Sequence, residues 1–333
     1  MRCVHWIYGL WTSSRVLSVA AGALVTVASL AAPSYAAVVS FGTGANQFNM
    51  EFVTIGNPGN AADSQGAPHL AGAVGYEYGM GKFEVSQDMI TKFNASQPLQ
   101  ITHDNRGVNK PANYVSWNEA ARFVNWLNTS TGNQAAYKFT TGGVNDDIAL
   151  WTSGDAGYNA SNPYRNSLAR YVLPSYNEWF KAAYYDPNKS GGAGYWEYAT
   201  GSNSAPEAVA SGTGAGTAVF GQDYEQGPAD VDQAGGLSPY GVMGLGGNII
   251  EWQESSDDLL NISGSSPRSI RGGDWSSDSF SMSSSARGLN DPSVESDDAG
   301  FRVVSLPVPE PSTMVIGTLF GLGGLAAKRR LKK

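Results

Sequence analysis

The chain has 333 residues, with 21 Lys and Arg against 29 Asp and Glu, one cysteine and three histidines. An acid-rich surface repels nucleic acid and anionic membranes, so neither is an expected partner. Cys3 is the only cysteine and His69 and His103 are the only histidines beyond residue 5, which excludes thiolate metal sites, disulfides and a metal centre built mainly on imidazole.

The first 36 residues read as an export signal. Arg2 and Arg15 are the only charges, residues 16–32 are apolar, and Ser34-Tyr35-Ala36 supplies the small residues of a cleavage site. Cleavage by signal peptidase is expected after Ala36. A short apolar segment, Phe52-Val53-Thr54-Ile55, follows a Gly- and Asn-rich stretch. At residues 76–85 aromatic and β-branched residues alternate with polar ones, which predicts a strand bent at Gly79 or Gly81. Ser86 then caps a helix predicted to run to about Asn94.

The clearest helix is predicted over residues 117–127. Ser116 stands at its N-cap with Glu119 three residues on, and Ala120, Phe123, Val124 and Leu127 form one apolar stripe. Residues 137–140 suggest a short strand. A second capping box, Ser175 with Glu178, opens a helix whose buried side carries Trp179, Phe180, Ala182 and Ala183, and Asp186-Pro187 stops it. Residues 191–241 read mainly as loops, with mobility expected over the near low-complexity residues 200–216. The last third is punctuated by Gly-Gly pairs beside Trp and Arg, which suggests close backbone approach around buried rings and guanidiniums. Arg271, Arg287 and Arg302 are expected to tie loops together through carbonyls and carboxylates.

Pro309-Glu310-Pro311 breaks the chain, residues 314–327 are uncharged, and Lys328, Arg329, Arg330, Lys332 and Lys333 finish it. Such a segment is short for a stable span, and the basic end holds it in the cytoplasm. This arrangement resembles the PEP-CTERM sorting tail of Gram-negative bacteria. That resemblance implies recognition by an exosortase, cleavage near Pro309-Glu310-Pro311, only transient membrane association, and delivery to the cell surface or beyond. The predicted organisation is therefore a signal over 1–36, a domain over 37–305 and a sorting tail over 306–333. Without Arg2, Arg15, the five basic tail residues and Glu310, the domain keeps 14 basic and 28 acidic residues.

Seven blocks carry a second resemblance. They are YEYGMGKFEVS from Tyr76, VSWNEAARFVNWLN from Val115, LPSYNEWFKAAYYDP from Leu173, GGNIIEW from Gly246, IRGGDW from Ile270, SSSAR from Ser283 and GFRVV from Gly300. In this order, over residues 76–304, they are similar to the formylglycine-generating enzyme, or sulfatase-modifying-factor, family. The resemblance implies an α+β, loop-rich fold, a variant of the C-type-lectin-like fold. It also implies a copper-binding cysteine pair, whose positions fall at Ser279 and Ser284. Hydroxyls are poor soft-metal ligands, so copper is not expected. For calcium, the matching positions are the carbonyls of Gly247 and Ile249 and the side chain of Glu251, while a further ligand position falls at Gly244, which has no side chain. The alternative is that Glu251 pairs with an arginine or caps backbone amides. No GxSxG elbow is present, and the two distal histidines offer no positioned base, so no catalytic residue is assigned. The expected function is an exported, non-catalytic protein that binds extracellular polysaccharide or protein; the alternative is a divergent enzyme of the family.

Overall fold

The computed structural model describes residues 37–64 and 70–307. The predicted signal, residues 308–333 of the sorting tail and the processing residues Ala36, Pro309, Glu310 and Pro311 lie outside the described residues, as does His69. In chain order the strands are β1 (Ala37–Phe41), β2 (Phe48–Ile55), β3 (Tyr78–Gly81), β4 (Tyr171–Val172), β5 (Tyr185–Asp186), β6 (Gly194–Tyr195), β7 (Glu207–Ala208), β8 (Thr217–Ala218), β9 (Ile250–Ser256), β10 (Arg268–Arg271), β11 (Gly288–Asn290), β12 (Ala299–Gly300) and β13 (Val304–Ser305). The helices are α1 (Gln87–Ser96), α2 (Trp117–Ser130) and α3 (Tyr176–Tyr184).

The larger sheet has the order β1-β2-β3-β13-β4, antiparallel throughout. Strand β2 earns its place by alternation: Phe48, Met50 and Phe52 are buried between more exposed neighbours. The predicted strand over 76–85 is reduced to β3. Its end falls at Gly81, whose N–H donates to Val303 O at 2.8 Å. A Cβ there would lie 3.1 Å from that carbonyl, so the glycine permits the close approach.

The second sheet has the order β11-β10-β9-β12, with β12 parallel to β9. It holds the central seven-residue strand β9, where the sequence showed only punctuating glycines. The strand expected at 137–140 is instead a single bridge between Lys138 and Ala149. Residues 200–216 were expected to be mobile. They contain β7, which pairs in parallel with β8, and Glu207 N–H donates to Gly216 O at 2.9 Å.

The helices follow their local signals closely. Ser86 accepts from Met89 N–H at the start of α1. Both capping boxes form, with Ser116 and Glu119 opening α2 and Ser175 and Glu178 opening α3. The α2 stripe of Ala120, Phe123, Val124 and Leu127 is wholly buried. Aromatic rings fill the core around it: Phe123 meets Phe301 edge-on at 5.5 Å, and Trp117 meets Tyr137 at 5.2 Å.

Candidate functional site

The approach to β9 sets the local geometry. Gly247 has φ +81°, and a Cβ on it would sit 2.2 Å from Val219 O. Only glycine fits this turn. Asn248 follows in the left-handed region at φ 66°. Its side chain accepts from Ala229 N–H at 2.8 Å and donates to Glu84 Oε1 at 3.0 Å.

Glu251 then points into the interior, where no part of it is exposed. Arg302 grips both carboxylate oxygens, Nε to Oε2 at 2.7 Å and Nη2 to Oε1 at 2.5 Å, and Trp179 Nε1 donates to Oε2 at 2.7 Å. The same guanidinium donates to Gly81 O at 2.8 Å and Met243 O at 2.9 Å. The alternative of an arginine partner therefore describes Glu251. A calcium ion needs several free oxygens directed at one point. Here the carboxylate already faces a fixed cation, and the Gly247 carbonyl accepts from Ile249 N–H at 2.9 Å. The Gly244 position is filled from outside, since a Cβ there would lie 2.2 Å from Glu84 Oε1. Glu84 is buried, and burial raises its carboxyl to about 7. These residues do not fit a calcium cage.

Ser279 opens a short 3₁₀ turn, residues 279–282, capped by Asp278, whose side chain accepts from Ser281 N–H. Ser284 is 5 % exposed. Its hydroxyl donates to Glu197 Oε2 at 3.1 Å and its N–H to Glu197 O at 2.8 Å. A neutral hydroxyl turned to a carboxylate is not a soft thiolate donor, so the pair does not fit copper. Among the described residues no group of three or more His, Cys, Asp and Glu could hold a metal. His103 lies elsewhere, with Nε2 3.3 Å from Thr91 Oγ1, and burial lowers its pKa.

Between β10 and the 277–288 segment lies a cleft of about 370 Å³. Arg271 and Arg287 form part of its wall, and Ile250, Ile270 and Phe280 make it partly apolar. Ser279 and Ser284 do not line it; their neighbours Ser277, Ser281 and Ser285 do. Arg271 donates to Ser284 O at 3.0 Å, to Ala286 O and to Tyr176 Oη at 3.1 Å, while its buried Nε has no partner. Arg287 uses Nε on Ser269 Oγ at 2.9 Å and Nη2 on Asp257 O at 2.8 Å. Both arginines thus tie loops through neutral groups, as expected, and neither has an ion pair among the described residues.

Two buried arginines escaped the sequence reading. Arg165 pairs with Glu178 at 2.9 Å and Glu254 at 2.7 Å. Arg268 stacks between Trp117 and Tyr164, 4.3 Å from each ring centre. The capping role of Glu178 hid its second use as a partner for Arg165; nothing local marked Arg268.

A family model described as "Sulfatase-modifying factor enzyme 1-like domain" matches residues 34–306. Among solved structures, Treponema denticola variable protein 1 is similar at 18 % identity and TM-score 0.55, covering 81 % of this chain and 99 % of that one. PvdO from Pseudomonas aeruginosa is similar at 16 % identity and TM-score 0.51, covering 81 % and 98 %. Comparison with curated proteins found no match. At such identities the solved structures bear on fold alone, and they place the chain in the loop-rich α+β class related to C-type-lectin-like domains.

Proposed function

We propose, because this chain belongs to the sulfatase-modifying factor enzyme 1-like domain family, that it is an exported, non-catalytic binding protein whose ligand enters the cleft between β10 and residues 277–288. The observation that carries this reading is the donor set. Where the family resemblance calls for two cysteines, the chain has Ser279 and Ser284, and Ser284 is turned to Glu197. Copper(I) takes soft thiolates, so the oxidase chemistry has no first ligand to start from. What persists beside that position is a cleft with polar and apolar walls, the usual equipment for recognition.

Mass spectrometry tests both halves of the reading. The exported protein should begin at Ala37 and end near Pro309. Incubated with copper, oxygen and a cysteine-containing sulfatase peptide, it should leave the cysteine unmodified. Formylglycine above a no-protein control would overturn the non-catalytic reading.

A further inference from the structure

The cleft that the proposed function rests on has an uneven charge. Two guanidiniums line it, and no Asp or Glu does so among the described residues. This happens in a chain with 29 acidic residues against 21 basic ones. Elsewhere the buried cations Arg165 and Arg302 each have a carboxylate in contact. Arg271 and Arg287 contact only carbonyls and hydroxyls, so neither has a carboxylate in direct contact, Asp257 acting on Arg287 only at longer range.

Donors remain open as well. Arg287 Nη1 makes no hydrogen bond among the described residues, its bonds being made through Nε and Nη2. Ser277 Oγ accepts from Asp274 N–H at 3.1 Å, which leaves its own proton to donate. Arg271 is 2 % exposed and its partnerless Nε is buried, so it acts on an occupant of the cleft through its charge. Burial lowers the Arg287 pKa, and Arg271 beside it acts in the same direction. An anion between them would relieve both effects.

The remaining walls indicate what carries the anion. Phe280 is 66 % exposed and so offers an open ring face at the cleft it helps to line. Ile250 and Ile270 extend the apolar surface. The volume lies at the small end of the roughly 300–1,000 Å³ typical of small-molecule sites. Strand β10 is paired on both sides, so this wall offers no free edge to an extended peptide. A pyranose presents an apolar C–H face and a hydroxylated rim, matching an exposed ring beside serines.

We propose that this cleft binds an acidic saccharide, holding a ring carboxylate or sulfate at Arg287 and Arg271 and stacking the sugar face on Phe280. The inference deepens the binding reading above and depends on it. The test is calorimetry on the full chain in mild detergent, with glucuronate, glucose 6-sulfate, glucose, and sulfate and acetate ions as probes. The two acidic sugars are expected to bind, each at least about tenfold tighter than glucose, as expected for a charged hydrogen-bonded pair. Their affinity should weaken as salt is raised. Carboxylate and sulfate sources are distinguished by which acidic sugar binds tighter.

Arg287→Gln should reduce binding of the acidic sugars about tenfold or more. Because Arg287 also ties down Asp257 and Ser269, Ser281→Asp is the second variant. It leaves every arginine bond in place, adds a negative charge to the rim, and should produce the same loss. Phe280→Ala should weaken the acidic sugars without changing any affinity for sulfate or acetate. Glucose binding as tightly as glucuronate would overturn the acidic-saccharide inference and leave the binding reading standing. Sulfate alone binding as tightly as the sugars, unaffected by Phe280→Ala, would overturn the saccharide part. No binding by any probe would overturn the acidic-saccharide inference, whereas the non-catalytic reading falls only to formylglycine formation.

Discussion

Two pairs of arginines make a contrast: one pair is buried against carboxylates, and the other lines the cleft with Arg271 buried and Arg287 half-buried. Arg165 and Arg302 sit in the interior against carboxylates: Glu178 and Glu254 for the first, Glu251 for the second. Arg271 and Arg287 sit at the cleft against backbone carbonyls and hydroxyls. The geometry of the bonds is similar, but the electrostatics are not. A guanidinium met by a carboxylate is neutralised, and removing the acid strands it. One met by carbonyls retains its full field, which extends to whatever enters the cleft. The first set holds the fold together, and the second leaves charge available.

The sharpest way to break this contrast is to remove an acid from the first set. Glu251→Ala leaves Arg302 buried and unpaired and orphans Trp179 Nε1. It should cost about 3–5 kcal/mol, read as a lower denaturant midpoint. A cost below about 1 kcal/mol would mean that water reaches the pair and that the two sets are alike.

Acid provides a gentler version of the same experiment. Burial pushes the Glu178 carboxyl up, but Arg165 outweighs it, and the group sits at about 2 against an ordinary 4.5. The folded pKa lies below the unfolded one. Its contribution is therefore present above about pH 4.5 and is lost as pH falls toward 2. That contribution is of order 3 kcal/mol. Wild-type stability should decline over that window, and Glu178→Gln should show a flatter profile. A wild-type curve already flat from pH 4.5 to 2.5 would refute the assignment.

The smallest effects belong to the two cap serines, even though Glu178, which completes the Ser175 box, also pairs with Arg165. Ser116→Ala and Ser175→Ala each remove one acceptor from an orphan helix amide and should cost about 1 kcal/mol. Chemical denaturation should show the loss with an unchanged m-value. An unchanged midpoint in both variants would contradict the cap geometry.

The caps also show what could be read from the sequence. Ser116 with Glu119 and Ser175 with Glu178 are local signals three residues apart, and the structure places both as expected. The family blocks identified the fold for the same reason, being short runs in fixed order. Strand β9 was missed because its pattern of IEWQESS does not alternate; almost every residue is buried, since both faces of the strand are covered. The partner of Glu251 lies 51 residues away at Arg302, and nothing local distinguishes a carboxylate awaiting calcium from one awaiting a guanidinium. The cleft was also out of reach. Sequence register pointed to Ser279 and Ser284, whereas the wall is made by their neighbours, because the 3₁₀ turn and Glu197 direct Ser284 elsewhere.

Strand β13 lies between β3 and β4, with Val304 facing both Met80 and Val172. The strand that completes the larger sheet is therefore the last one described, and its partners come from much earlier in the chain. Loop closure over such a separation is entropically slow, and β3 and β4 have no bridge between them until residue 304 arrives. A chain threaded through a membrane from its N-terminus would remain without a finished sheet until almost its whole length had crossed. By whatever route the chain is delivered, the larger sheet can close only when this final strand is available to bridge β3 and β4.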